Sequence, residues 1–289
     1  MNTPSSGPRP ARYVVLGNPV AHSQSPFIHA AFARQTGQTL EYGRLLCPLD
    51  GFARTLRRFA DEGGRGCNVT TPFKQEAFTL ADVHTARAER AGVCNALRLD
   101  AGQWIGDNTD GIGLLRDIER NAGVQLAGKR VLLLGAGGAA AGVLGPLLDA
   151  GPARLVVANR TPQKALSLVQ EQARTSAARS TGAEVAATGL GDCGSGYDVV
   201  INATTSSLSG AAVPVADSVL APGALAIDLM YGPPARPFLA WARRRGASAR
   251  DGLGMLVEQA AEAFELFRGV APDTAPVLAE LSQLLDAAA

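Results

Sequence analysis

Ten residues in the middle of the chain, Val131-Leu132-Leu133-Leu134-Gly135-Ala136-Gly137-Gly138-Ala139-Ala140, restrict the fold more than any other segment. Four apolar side chains in succession suit a strand covered on both faces, the situation of a parallel strand in an α/β sheet. The residues that follow match Gly-x-Gly-x-x-Ala. The first glycine turns the chain, the second lets backbone approach a pyrophosphate, and the small third position packs helix on strand. The segment therefore predicts strand, tight turn and helix, with a dinucleotide phosphate over the turn.

From about residue 112 onward, strands and helices alternate, with apolar strands predicted at 131–134, 155–158, 199–203 and 225–229. Upstream, Tyr13-Val14-Val15-Leu16 reads as a strand stopped by Gly17-Asn18-Pro19. Ser25-Pro26 then supplies an N-cap and first helical position, and Phe27, Ile28, Ala31 and Phe32 follow at helical spacing. A second unit repeats the logic, with Gly66-Cys67-Asn68-Val69-Thr70 as strand and Thr71-Pro72 as cap and first helical residue. A last helix opens at Asp251-Gly252-Leu253-Gly254, with Leu256, Ala260, Ala263, Phe264 and Phe267 on one face and Gln259 on its flank. At 289 residues and 46% hydrophobic content the chain is long enough for two cores. The expected class is α/β with two domains: an N-terminal α/β substrate domain (1–109 with 253–289) and a Rossmann-type dinucleotide-binding domain with a parallel sheet (110–252).

The end of the second predicted strand of that sheet distinguishes one nicotinamide cofactor from the other. An NAD site places a carboxylate there to accept from the ribose hydroxyls. This chain has Asn159-Arg160-Thr161 instead, with Lys164 four positions after Arg160 on a helix opened by Thr161-Pro162. A guanidinium grips a 2′-phosphate bidentately, and the lysine adds a second positive charge. NADP is the expected cofactor.

Composition excludes other classes. Lys+Arg 27 against Asp+Glu 26 leaves a net charge of +1, with no field that favours nucleic acid or an anionic membrane. Cys47, Cys67, Cys94 and Cys193 never form a CxxC pair, and with three histidines they make neither a zinc set nor a disulfide framework. No metal is expected, and the thiols read as reduced packing residues. Residues 1–10 are rich in Pro and Ser and lack an apolar core, and no 18-residue apolar run occurs elsewhere. A cytoplasmic protein with a frayed start is expected, without membrane or nucleic-acid partners, as a monomer or homodimer.

Two runs carry the chemistry: Asn68-Val69-Thr70-Thr71-Pro72-Phe73-Lys74 and Gly106-Asp107-Asn108-Thr109-Asp110-Gly111. Each sets one ionisable residue, Lys74 or Asp110, among small hydrogen-bonding side chains, a mixture suited to holding a polyhydroxylated ligand and moving a proton on it. Taken alone, Lys74 is equally a solvated lysine in the first turn of a helix, and Asp110 an Asx turn or a helix cap. If they meet beside a carbonyl, the pair donates a proton as hydride arrives and takes it back in reverse. His22-Ser23-Gln24-Ser25-Pro26 offers two hydroxyls at a helix N-terminus, where a carboxylate is favoured, although Ser25 also reads as a plain N-cap.

Together these runs resemble the shikimate dehydrogenase family over nearly the whole chain from Tyr13. The resemblance also includes Asn202-Ala203-Thr204 and the closing helix from Asp251 through Leu256 to Gln259. It implies reversible NADPH-dependent reduction of 3-dehydroshikimate to shikimate, a step toward chorismate and the aromatic amino acids, with two lobes that close to exclude water. Ser23 and Ser25 would hold the carboxylate of the small-molecule substrate. Asn68, Thr70, Asn95, Asp110, Tyr231 and Gln259 would line the ring pocket, and Lys74 with Asp110 would be the acid–base pair. The NADP side would be Gly135, Ala136, Gly137, Gly138, Ala139, Asn159, Arg160, Thr161, Lys164, Thr204, Leu229 and Gly252. Rival readings are a quinate/shikimate or aminoshikimate-type dehydrogenase, a relative that binds ligand without catalysis, and a folate-type Rossmann enzyme that the paired serines disfavour. The chain departs from the family at Val93-Cys94-Asn95-Ala96, where Ala-Val-Asn-Thr is usual, so a hydroxyl is lost beside the pocket. It also departs at Thr204-Thr205-Ser206-Ser207 and at Lys164, where arginine is more common.

Overall fold

The computed structural model describes residues 10–175, 182–204 and 215–287. In chain order the first elements are β1 (Ala11–Gly17), α1 (Ser25–Thr36), β2 (Leu40–Leu46), α2 (Phe52–Asp61), β3 (Gly64–Val69), α3 (Lys74–Leu80), β4 (Val83–His84), α4 (Ala86–Ala91), β5 (Ala96–Asp100) and β6 (Gln103–Asp107). Helix α5 (Asp110–Arg116) follows, then β7 (Arg130–Leu134), α6 (Gly138–Asp149), β8 (Arg154–Asn159), α7 (Pro162–Thr175), β9 (Glu184–Gly189), β10 (Tyr197–Asn202), β11 (Leu220–Asp228), α8 (Arg236–Arg244) and β12 (Ser248–Arg250). Helices α9 (Leu253–Arg268) and α10 (Thr274–Ala287) complete the described chain.

The elements form two six-stranded sheets. The second has the order β12-β11-β10-β7-β8-β9, parallel throughout. Numbered from β7 as first strand, this is the 3-2-1-4-5-6 doubly wound order, whose ligand crevice lies where the winding reverses, between β7 and β10. Alternate residues along its strands feed opposite faces. Val131, Leu133, Val157 and Ile201 pack under α6, while Leu132, Leu134, Val156 and Val200 pack with Phe238 and Trp241 of α8. Burial on both faces accounts for the unbroken apolar runs in the sequence.

The first sheet, β2-β1-β3-β5-β6-β4, is mixed. Strands β1, β2 and β3 pair in parallel, and β5 runs antiparallel to both β3 and β6. One face is closed by Phe52, Leu56 and Phe59 of α2 together with Phe73. On the other, α9 returns to the first sheet's side, where Val257, Ala260 and Phe264 pack with Ile28 and Phe32 of α1.

Two boundaries differ from the sequence expectation. Gln24, not Ser25, is the N-cap of α1, so Ser25 is its first residue and Pro26 its second. Thr71-Pro72 does not open a helix; α3 begins at Lys74 with Phe73 as N-cap. The Thr71 carbonyl is taken by the Asn18 amide at 3.0 Å, and the Phe73 amide turns back to Thr70 O at 3.1 Å, so the chain completes a turn before helical bonding starts. Residues 205–207 of the serine–threonine loop lie outside the described residues.

Candidate active site

Segments far apart in the chain deliver the polar side chains of a cleft of about 330 Å³ between the sheets. Strand β3 ends at Val69, and the turn after it places Lys74 at the start of α3. Strand β6 ends at Asp107, and Asp110 begins α5, where the unsatisfied N–H groups of a first turn favour a carboxylate. The Lys74 ammonium donates to Asp110 Oδ2 at 2.5 Å, with 18% and 8% of the two side chains exposed. The two groups assigned to proton transfer therefore meet inside one cleft, and their formal charges cancel.

Asn95, 3% exposed, fixes the carboxylate from behind. Its Nδ2 donates to Asp110 Oδ1 at 2.8 Å, with Thr109 Oγ1 at 2.9 Å and Gln259 Oε1 at 3.2 Å also in reach. Its Oδ1 accepts from the Thr109 amide at 2.8 Å. Asn108 accepts from the Asp110 amide at 3.2 Å and donates to Val93 O at 3.1 Å. The Asx turn thus belongs to Asn108, which leaves both Asp110 oxygens for Lys74 and Asn95. On the adjoining wall the Tyr42 hydroxyl donates to Asn68 Oδ1 at 2.7 Å. Burial holds the Tyr42 hydroxyl well above the ordinary tyrosine range, so it remains a donor.

At the far end of the cleft Ser23 and Ser25 adjoin, with their hydroxyl oxygens 3.1 Å apart, and Ser23 Oγ accepts from the Ser25 amide at 3.3 Å. No side chain caps α1. Ser23, Ser25, Asn68, Thr70, Lys74, Asn95, Asp110, Tyr231 and Gln259 all line the same cleft. So do Ala139, Thr204, Leu229 and Gly252 from the second sheet's side. Gly252 must be glycine, because a Cβ there would strike the Leu229 carbonyl.

Gly135, Ala136, Gly137 and Gly138 form the turn next to this cleft without lining it. Gly135 has φ +107°, a conformation that side chains rarely adopt, and a Cβ there would stand 3.0 Å from Ala203 O across the sheet's switch point. Gly137 is exposed with nothing within 4 Å of an added Cβ, and a Cβ on Gly138 would lie 4.0 Å from Lys74 Cβ. These features fit a bound pyrophosphate. Asn159, Arg160, Thr161 and Lys164 are not brought to the cleft. They stand at the end of β8 and the start of α7, where Arg160, Thr161 and Lys164 are exposed and Asn159 Nδ2 donates to Thr161 O at 3.0 Å. Two cations without a carboxylate at that strand end fit a 2′-phosphate.

Ala96 is fully buried on β5, opposite Asn68 and Asp107, and does not line the cleft, so its missing hydroxyl removes nothing from the pocket wall. The sequence reading did not single out Tyr42, which lies on a strand whose polar alternation conceals it, nor Thr109 as a contact in its own right. A smaller hollow of about 190 Å³ between α4 and α6 contains none of the candidate residues. Among the described residues no group of three or more His, Cys, Asp or Glu could hold a metal, and no helix is long and apolar enough to cross a membrane. All four cysteines are free and buried.

Comparison with known proteins identifies the family. The shikimate dehydrogenase substrate binding domain model matches residues 15–97, the shikimate/quinate 5-dehydrogenase model 117–213, and the shikimate 5'-dehydrogenase C-terminal domain model 252–281. A shikimate dehydrogenase (NADP(+)) from Methylibium petroleiphilum is 59% identical over 283 residues, covering 96% of both chains. This chain belongs to the shikimate dehydrogenase family. Another shikimate dehydrogenase (NADP(+)), from Acidovorax sp. (strain JS42), is 59% identical over 277 residues, covering 96% of this chain and 98% of its own. The crystal structure of Thermus thermophilus shikimate 5-dehydrogenase in complex with NADP(H) and shikimate is 32% identical, covers 93% of this chain and 97% of its own, and superposes with a TM-score of 0.78. The two-lobed α/β fold with a Rossmann-type unit is thus a shikimate dehydrogenase fold.

Proposed function

We propose that the chain catalyses reversible NADPH-dependent reduction of 3-dehydroshikimate to shikimate, in the route to chorismate and the aromatic amino acids. The observation that carries this reading is the Lys74–Asp110 pair, closed at 2.5 Å within a cleft that has polar ring contacts on one side and the glycine turn on the other. We assign Ser23 and Ser25 to the substrate carboxylate, and Asn68, Thr70, Asn95, Tyr231 and Gln259 to the ring. Gly135 to Ala139, Thr204, Leu229 and Gly252 would hold the cofactor's inner half, and Asn159, Arg160, Thr161 and Lys164 its adenosine phosphate. The substrate unit would comprise 1–109 with 253–289, and the cofactor unit 110–252.

When bound, NADPH supplies the hydride for the ketone carbon. Lys74 donates a proton to the oxygen as negative charge develops there, and in the oxidative direction its neutral amine takes the proton back. Asp110 orients Lys74 and stabilises its cationic form, while Asn95 keeps the carboxylate from rotating away. The serines at the helix N-terminus set the ring's orientation through its carboxylate. We place the enzyme in the cytoplasm, whose reducing conditions suit its free thiols, and expect a monomer or homodimer. The test is to follow reduced-nicotinamide absorbance with shikimate or quinate and NADP+ or NAD+. Turnover on shikimate with NADP+ is expected, and faster turnover on quinate, or none on either acid, would overturn the assignment.

A further inference from the structure

Charge in the cleft points to a residue outside the family reading. Lys74 and Asp110 cancel each other, and the serines at the start of α1 offer only dipoles. Arg44, on β2, is an exposed residue beside this end of the cleft, in contact with Ser23 but not part of the lining. Its Nε and Nη2 both donate to the Ser23 carbonyl, at 3.0 and 2.6 Å. Among the described residues no carboxylate stands within ion-pair distance of it, so its charge is balanced by no fixed anion. Asp251, the nearby acid, has each oxygen accepting a backbone amide, from Gly232 and Leu253. Burial raises the Tyr231 hydroxyl above the ordinary tyrosine range, and among the charges acting on it Arg44 pulls downward while Asp251 pushes upward. The guanidinium is therefore close enough to act on the Tyr231 hydroxyl, which lies against the Gln24 backbone between the two serines.

We propose that Arg44 is a selectivity residue that makes the cleft prefer an anionic ring substrate: one edge of its guanidinium fixes the Ser23 backbone, and its unpaired charge attracts the carboxylate that Ser23 and Ser25 hold. This rests on the assignment of a carboxylate-bearing substrate above. A cation several ångströms from the carboxylate, at a partly solvated rim, acts through an intermediate dielectric and contributes mainly to binding, in a salt-sensitive way.

The test uses the full chain with Arg44→Gln, which removes the charge, and Arg44→Lys, which keeps it but loses the fork. Steady-state oxidation of shikimate and of its uncharged methyl ester is measured with NADP+ at low and high salt. For Arg44→Gln the KM for the acid should rise about tenfold with kcat changed less than about twofold. Its KM for the ester should change much less than that for the acid, and the salt dependence for the acid should flatten. Arg44→Lys should keep most of the preference for the acid. An acid-to-ester ratio and salt slope unchanged in Arg44→Gln would overturn the proposal, as would equal losses on both substrates in both variants, which would leave the fork on Ser23 as the whole effect. Turnover of shikimate by the unaltered enzyme is the separate check on the reaction, and its absence would overturn that reading and this one together.

Discussion

Asp110 shows how much of a reactive group's behaviour lies in its neighbours. Its two oxygens are divided between an ammonium and the Asn95 amide, so Lys74→Ala leaves a carboxylate in place but no proton donor. We expect that substitution to lower kcat by about 10²–10⁴-fold while KM for shikimate moves little, and steady-state kinetics check it; unchanged turnover would refute the role. Asn95→Ala removes one donor shared by three buried acceptors and leaves the Thr109 amide without its partner. It should cost about 1–3 kcal/mol in urea unfolding, together with a drop in kcat as the carboxylate gains freedom. At this scale the sequence was informative wherever polar residues came in runs. Lys74, Asp110 and Asn95 were identifiable because small polar neighbours surround them. Tyr42 and Arg44 were not, because each sits singly in an alternating stretch, and only the pairing of β2 with β1 brings it beside the cleft.

Helix α5 is held between two others through glycines. A Cβ on Gly113 would lie 2.6 Å from Gln259 Cβ and 2.7 Å from its backbone nitrogen on α9, and one on Gly111 would lie 2.6 Å from Gly142 O on α6. Gly113→Ala should therefore push α9 away, lowering stability by about 1–3 kcal/mol and raising KM for the acid by displacing Gln259; thermal unfolding and kinetics measure both. At the end of β8, Arg160→Ala should raise KM for NADPH about tenfold or more with little change for NADH, because only the former carries the phosphate that the guanidinium would grip. Four strands of the second sheet could be read from sequence because burial on both faces makes them continuously apolar, as at Val131 to Leu134, whereas the edge strands β9 and β12, nowhere fully buried, were not read. Strands β2, β5 and β6 were not read. Glu41, Arg44, Arg98 and Gln103 interrupt them, and their pairing, partly antiparallel, is set by tertiary contacts rather than local pattern. The shift at Thr71-Pro72 has a similar origin in part, since Asn18, distant in sequence, takes the Thr71 carbonyl, whereas the Ser25 amide bonds the neighbouring Ser23 hydroxyl.

On the scale of the whole molecule, His29 links the first lobe's core to pH. It is 1% exposed and stacks on Tyr42 at 4.0 Å, with the Asn68 side chain beside its ring. Burial pushes its pKa from 6.5 down to about 3. Above pH 6.5 both folded and unfolded chains carry it neutral, so it adds no pH dependence. Below 6.5 the unfolded chain takes up a proton that the folded one refuses, and stability falls until about pH 3. At pH 5 the loss is about 2 kcal/mol. His29→Phe should remove this component, so that urea midpoints of variant and parent, compared at pH 7 and pH 5, shift relative to each other in the variant's favour on acidification; parallel behaviour would exclude it. The cations at the end of β8 face solvent, apart from every side chain that surrounds the ring. If those cations grip the cofactor's 2′-phosphate as proposed, a lineage that came to draw on the other nicotinamide pool would rewrite that outer rim and leave the inner chamber as it is.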